Sequence, residues 1–414
     1  MRKASARVFP VLFLAFASIA LFGCGSSSGS ANVSQAQTTT APVSNVQPIS
    51  VNVGPASALG SSFNYVDGAF TSVTVCAPSS TTNCQTISGI LVDTGSSGLR
   101  ILSSALSASL PAQTDGNGNP MGECAVFADG VTWGAVATAD VKIAGEQASS
   151  LPVQIIGPAS LPTVPADCSS QGQPEDNLAN LGANGLLGIG QSVQDCGADC
   201  VSAGTLSQGT YYSCPASGCV DTTESLARQV QNPVASFTTD NNGVIVELPA
   251  VTGAGAGVSG SLIFGIGTQA NNGLGGATVF GTDQFGDFST TYKGTPYMSF
   301  LDSGSNGIYF LDATATGLPV CLDLTFLYCP ASAQTISVTD NAEAGTNGAS
   351  AATSFLVSNG DFLVSNVNNA AVNGLAGPSP GMFDFGLPFF FGRNVYSAIE
   401  GKSTPGGTGP YLAY

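Results

Sequence analysis

Ile90-Leu91-Val92-Asp93-Thr94-Gly95-Ser96-Ser97 and Ser299-Phe300-Leu301-Asp302-Ser303-Gly304-Ser305 follow one pattern, an apolar strand ending in an aspartate, a small hydroxyl residue, a glycine and a serine. Glycine permits a tight backbone turn, and the hydroxyl can bond neighbouring backbone. Such a corner aims the carboxylate into a cleft instead of along the strand. Two corners 209 positions apart point to two lobes, each giving one carboxylate to a shared site.

The rest of the composition agrees with this reading. A chain of 414 residues is too long for one ordinary core and suits two. Charged residues make up only 8 % of it, and 53 glycines accompany abundant Ser, Thr, Val and Ala, the profile of many short strands and turns. Histidine is absent. That absence excludes Ser-His-Asp and Cys-His catalysis and His-ligated zinc. Carboxylate chemistry, an unusual lysine or serine, or no catalysis remains.

Arg2, Lys3 and Arg7 precede an apolar run from Val8 to Leu21, as in an export signal. Leu21-Phe22-Gly23-Cys24 then resembles a bacterial lipobox, which implies lipidation at Cys24 and a mature chain that starts there. Gly25 follows that cysteine in place of aspartate, and resemblance to bacterial sorting signals implies the outer membrane. Loss of residues 1–23 leaves six basic residues against 26 acidic ones, a balance of −20. Such a surface repels nucleic acid and anionic lipid. Ten cysteines remain after Cys24, and an even number in an exported chain implies disulfides. Close pairs such as Cys76/Cys84, Cys196/Cys200, Cys214/Cys219 and Cys321/Cys329 could staple local loops, although spacing leaves the connectivity open.

Residues 24–48 lack periodicity and read as a tether. An N-terminal lobe is expected over 49–242, carrying Asp93, and a C-terminal lobe over 243–414, carrying Asp302. Short β-type runs include Val51–Val53, Phe70–Val75, Ile87–Val92, Val141–Ile143 and Val153–Ile156. Thr223–Gln231 is the best helix candidate, with a threonine cap and Pro233 as terminator. Each corner is followed later by an apolar-apolar-glycine run: Gly185-Leu186-Leu187-Gly188-Ile189-Gly190, and Phe383-Asp384-Phe385-Gly386 leading into Leu387-Pro388-Phe389-Phe390-Phe391-Gly392. Phe389–Phe391 reads as a buried strand.

With these runs the chain resembles a pepsin-type aspartic protease over most of residues 60–400. The resemblance implies an all-β, two-lobed, pepsin-like β-barrel fold with few short helices, in which Gly188 and Gly386 lie on strands that complete the two corners. Pro233–Phe237 and Ser259–Gly265 resemble the family's crossing between lobes. The lipobox, Asn64-Tyr65-Val66-Asp67-Gly68 and Gly386–Arg393 further resemble a family of uncharacterised proteobacterial lipoproteins. Two departures stand out. The family's flap tyrosine corresponds to Phe127, with the flap glycines at Gly130 and Gly134, and the tryptophan that partners the tyrosine is replaced by Arg100.

The resemblance implies catalysis by Asp93 and Asp302, with Thr94, Gly95, Ser96, Ser303, Gly304 and Ser305 supporting the dyad. Two adjoining carboxylates do not both ionise readily, so the pair holds one proton over a broad acidic range. The aspartic-protease dyad is itself the type case of that effect. The expected chemistry needs no metal or cofactor, its substrate is a peptide or protein, and the expected state is a monomer anchored to the envelope by lipid. The competing reading is a pepsin-fold envelope protein that binds or supports and catalyses weakly or not at all. Asp115-Gly116-Asn117-Gly118-Asn119 has Val126 where a calcium loop needs glutamate, and reads as a surface turn. Gly265-Ile266-Gly267 lacks the helix and acidic ligand of a dinucleotide site. Trp133 reads as packing on the flap.

Overall fold

The computed structural model describes residues 45–55, 65–202 and 209–414. The expected signal segment, Cys24 and most of the tether lie outside them. Among the described residues no helix is long and apolar enough to cross a membrane.

The protein is all-β. Strands take 44 % of it, and the described α-helices, such as Leu178–Leu181 and Gly360–Val364, are single turns. One sheet of 16 strands carries the Asp93 corner, and a sheet of seven strands carries the Asp302 corner. The larger sheet is not confined to the first half of the chain. Strand Val46–Val51 pairs antiparallel with Val258–Phe264, which in turn pairs with Gly243–Glu247. The expected division at residue 243 therefore falls within a shared sheet.

Alternation along the strands fixes what is buried. In Ser379–Phe385, Phe383 and Phe385 are fully buried and pack with Phe310, Phe355 and Phe389, with ring centroids 4.9–5.8 Å apart. In Cys84–Asp93, Ile87, Ile90 and Val92 join a continuous core that also takes in Leu301, Phe310 and Phe385 from the second sheet. One apolar body thus underlies strands from both sheets.

Five disulfides join Cys76–Cys84, Cys124–Cys168, Cys196–Cys200, Cys214–Cys219 and Cys321–Cys329. Four are local staples, and Cys124–Cys168 ties a hairpin to a segment 44 positions away.

Two expected elements take other forms. Thr223–Gln231 is not a helix; only a 3-10 turn at Leu226–Arg228 forms. Partners elsewhere claim its backbone and polar side chains. Glu224 N–H donates to Cys200 O, the Gln229 amide donates to Gly197 O, and Val230 N–H donates to the Tyr211 hydroxyl at 2.7 Å. Phe389–Phe391 is buried but is not a strand. Leu387–Phe389 is a 3-10 turn, because Pro388 fixes its φ and has no N–H for a ladder.

Candidate active site

The two corners are built alike. Strand Cys84–Asp93 runs parallel to Gly185–Ile189, with Asp93 opposite Gly188, and Ser97–Leu102 returns antiparallel on the other side, with Gly98 opposite Gly188. Strand Thr295–Leu301 likewise runs parallel to Ser379–Phe385, and Ile308–Leu311 returns antiparallel to it. In both, the completing strand passes between the two arms of the corner. The glycines make that passage possible. A Cβ at Gly188 would lie 2.8 Å from Ser96 Oγ, and one at Gly386 would lie 2.1 Å from Gly307 O.

The structure brings Asp93 and Asp302 together: a Cβ at Gly304 would lie 3.0 Å from Oδ1 of each carboxyl. A Cβ at Gly95 would lie 2.6 Å from Asp302 Cγ, so only glycine lets the carboxyls approach from that side. Hydroxyls are exchanged between the corners. Thr94 Oγ1 donates to Leu301 O at 3.2 Å and accepts from Ser303 N at 2.9 Å; Ser303 Oγ donates to Val92 O at 2.8 Å and accepts from Thr94 N at 3.1 Å. Within each corner the glycine N–H donates to its own aspartate, Gly95 to Asp93 Oδ1 at 2.8 Å and Gly304 to Asp302 Oδ1 at 2.7 Å. Ser96 Oγ donates to Asp93 Oδ2, and Ser305 Oγ lies 3.0 Å from Asp302 Oδ2. Both carboxylates therefore have one oxygen fixed by an amide and the other by a hydroxyl.

Burial, then the neighbouring charges of Asp93 and Asp384, holds the Asp302 carboxyl well above the usual carboxylate range. Burial, then Asp129, Glu175, Asp302 and Asp93, pushes the Tyr65 hydroxyl well above the usual phenol range. Tyr65 is thereby placed within electrostatic reach of the dyad, edge-on to Phe70 at 5.3 Å.

Phe127 sits at the turn of the hairpin formed by Met121–Val126 and Gly130–Ile143, where Phe127 N–H donates to Gly130 O at 2.8 Å. It packs against the apolar cluster that includes Phe70, Leu91 and Leu186, and the Arg100 guanidinium stands 5.6 Å from its ring centroid. A Cβ at Gly130 would meet Gln173 O and Glu175 Cγ at 2.7 Å. Arg100 is 2 % exposed and bridges Glu123 at 2.6 Å and Asp195 at 3.2 Å, with Tyr211 donating to Asp195 at 2.7 Å. Trp133 lies on the same hairpin, its Nε1–H donating to Leu161 O at 3.1 Å. Asp115 closes a turn, accepting from Asn117 and Asn119 backbone and from Ser213 Oγ.

Sequence reasoning singled out neither Asp384, which reaches Ser305, nor the Arg100–Glu123–Asp195 cluster, nor Tyr65 as a neighbour of the dyad. Asp384 carried the one available signal, an acid between two phenylalanines in an otherwise apolar run.

The protonated carboxyls predict how stability follows pH. Burial first, then Asp93 and Asp129, pushes Asp384 up to about 8, and burial pushes Asp340 up to about 6. Burial also holds Asp67 and Asp195 well above the usual range. The folded state keeps protons that the unfolded chain releases near pH ~4. Their stabilisation is complete below that pH and is lost as pH rises through about 6 and then about 8. Denaturant titrations should therefore give a fold weaker by a few kcal/mol at about pH 8 than at about pH 4.5. An unchanged or higher midpoint at the alkaline pH would rule out this account.

A family model described as "Protein of unknown function (DUF3443)" matches residues 41–414. No curated protein matches the chain. Among solved structures, the crystal structure of aspartic proteinase from Irpex lacteus is similar at 15 % identity and a TM-score of 0.49, over 89 % of this chain and 96 % of that one.

Proposed function

The chain belongs to the DUF3443 family of proteins of unknown function, and we propose that it is an aspartic endopeptidase using Asp93 and Asp302. One observation carries this reading: two carboxyls brought together by corners that the reciprocal hydroxyl bonds of Thr94 and Ser303 lock to each other. In the proposed reaction the ionised carboxylate removes a proton from a water held between the pair. The protonated carboxyl polarises the scissile carbonyl, and the proton then passes to the leaving amine. The pair shares its proton, so neither residue alone is the acid or the base. Phe127 would cover an apolar substrate side chain without donating a hydrogen bond.

The same proposal includes a lipid anchor at Cys24, the folded body in the periplasm or at the cell surface, most simply on the outer membrane, and a monomer acting on peptide or protein. Its test is peptide cleavage by the detergent-solubilised full-length protein over roughly pH 3 to 7, with Asp93→Asn and Asp302→Asn as controls.

A second reading, a pepsin-fold envelope protein that binds without turnover, is favoured by Phe127 at the flap, by the charged Arg100 cluster beneath it, and by an Asp93 only 6 % exposed. Tight binding of a statine-type transition-state analogue without cleavage of any peptide would select it.

A further inference from the structure

Asp384 stands in strand Ser379–Phe385, where Phe383 and Phe385 face the aromatic core. Alternation turns Asp384 to the opposite face, towards the second corner, and it is 6 % exposed. The register places Asp384 opposite Phe300 and Asp93 opposite Gly188. Two residues before the completing glycine, the counterpart of Asp384 in the first corner is Leu186, which is apolar and buried. The two halves of the site therefore differ by one buried acid.

Ser305 Oγ lies 2.6 Å from Asp384 Oδ2 and 3.0 Å from Asp302 Oδ2. A hydroxyl carries one proton, so it cannot donate to two carboxylates at once. One of the two acids must hold a proton on the oxygen facing Ser305. Asp384 Oδ1 is buried and has no hydrogen-bond partner among the described residues. A bare oxygen costs much more on an ionised carboxylate than on a neutral acid. Asp384 is thus the protonated member.

We propose that Asp384 is a positioning residue for the dyad: its Oδ2–H donates to Ser305 Oγ, which directs the Ser305 proton onto the outer oxygen of Asp302. The catalytic consequence rests on the endopeptidase reading above, whereas the proton arrangement itself does not. The titratable groups facing Asp384 are Asp302 through Ser305, Asp93, Asp129 at the hairpin turn, and Tyr309 opposite it in the register. Burial first, then the charges of Asp93 and Asp129, holds its proton up to about pH 8. When Asp384 ionises, the Ser305 proton turns to the nearer anion. Asp302 then loses a hydrogen bond and gains a like charge beside it. At the first corner Ser96 serves only Asp93, so the dyad is asymmetric by construction.

The experiment is carbon NMR of the full-length protein labelled with 13C at the aspartate carboxyl, titrated in the wild type and in Asp384→Asn, Asp384→Leu and Ser305→Ala. The expected result is a carboxyl resonance titrating near pH 8 that is absent from both Asp384 variants. In Ser305→Ala the Asp302 resonance, assigned through Asp302→Asn, should shift its midpoint upward by roughly one unit, the loss of one charge-assisted hydrogen bond. Peptide cleavage supplies the second readout: Asp384→Leu should lower kcat about tenfold with KM little changed, and Asp384→Asn should move the alkaline limb of the pH profile. Absence of a high-pH resonance that depends on Asp384 overturns the proposal. So does an Asp302 midpoint that is the same in all variants. Should the wild type cleave nothing, the endopeptidase reading falls, and the NMR titrations alone decide the Asp384–Ser305–Asp302 chain. Ser305→Ala keeps the buried acid in place, so the Asp302 midpoint still decides the proposal if an Asp384 variant misfolds.

Discussion

Asp302→Asn and Asp93→Asn should each lower peptide cleavage by at least about a thousandfold, because each removes a member of the pair to which the proposed reaction gives both the acid and the base work. Asparagine keeps the shape of the side chain, and its Oδ1 can still accept the amide of Gly95 or Gly304, the bonds that seat the native carboxylates. The Thr94 and Ser303 exchange involves backbone and hydroxyls alone and is untouched. A folded and inactive protein is therefore the expected product. The carboxamide cannot ionise, so neither variant can supply the carboxylate that the proposed reaction needs beside the acid. Loss of binding to a statine-type analogue should accompany loss of cleavage, since that ligand seats its hydroxyl between the carboxyls. Wild-type rates in both variants would show that the cleavage comes from elsewhere, and the assignment would fail.

Arg100→Met should cost about 3–5 kcal/mol of stability, the usual result of removing one member of a buried ion pair. Arg100 is 2 % exposed, Glu123 is fully buried, and Asp195 receives a hydrogen bond from buried Tyr211. Without the guanidinium, two carboxyls face each other in an apolar setting. Burial and Glu123 already hold Asp195 well above the usual range with Arg100 present. Replacing all three by apolar residues of similar size should recover most of the loss, because it removes the charges together with their counter-charge. Chemical denaturation of the single and triple variants measures both effects. A cost below about 1 kcal/mol for Arg100→Met would mean that water reaches the cluster and that the pair behaves as a surface one. Arg100 also lies against the Phe127 ring, so the single variant should loosen the hairpin turn.

The parts of this architecture legible in the sequence are those written in consecutive residues. An apolar run ending in Asp93-Thr94-Gly95, or in Asp302-Ser303-Gly304, specifies strand, turn and carboxylate within a few positions. Gly188 and Gly386 could be found because a strand crossing so close to a corner tolerates no side chain. What could not be read depends on register between distant strands. Glu123 meets Arg100 across a sheet in which Gly130–Ile143 and Glu146–Ile156 stand between Met121–Val126 and Ser97–Leu102. Asp195 comes from a loop 95 positions from Arg100. Asp384 was visible as an oddity, yet its partner Ser305 is 79 positions away. Thr223–Gln231 misled for the same reason: its helical spacing is real, but Tyr211, Gly197 and Cys200 offered its polar groups better partners.

The reciprocal hydroxyl bonds also bear on where the site resides. Thr94 N–H needs the Ser303 oxygen, and Ser303 N–H needs the Thr94 oxygen. Either corner taken alone keeps a buried amide without an acceptor and a carboxylate without its mate. None of the five disulfides joins a residue before 243 to one after it. The dyad is thus a property of the seam and of neither half, and among the described residues only non-covalent contacts and the continuing chain keep that seam shut.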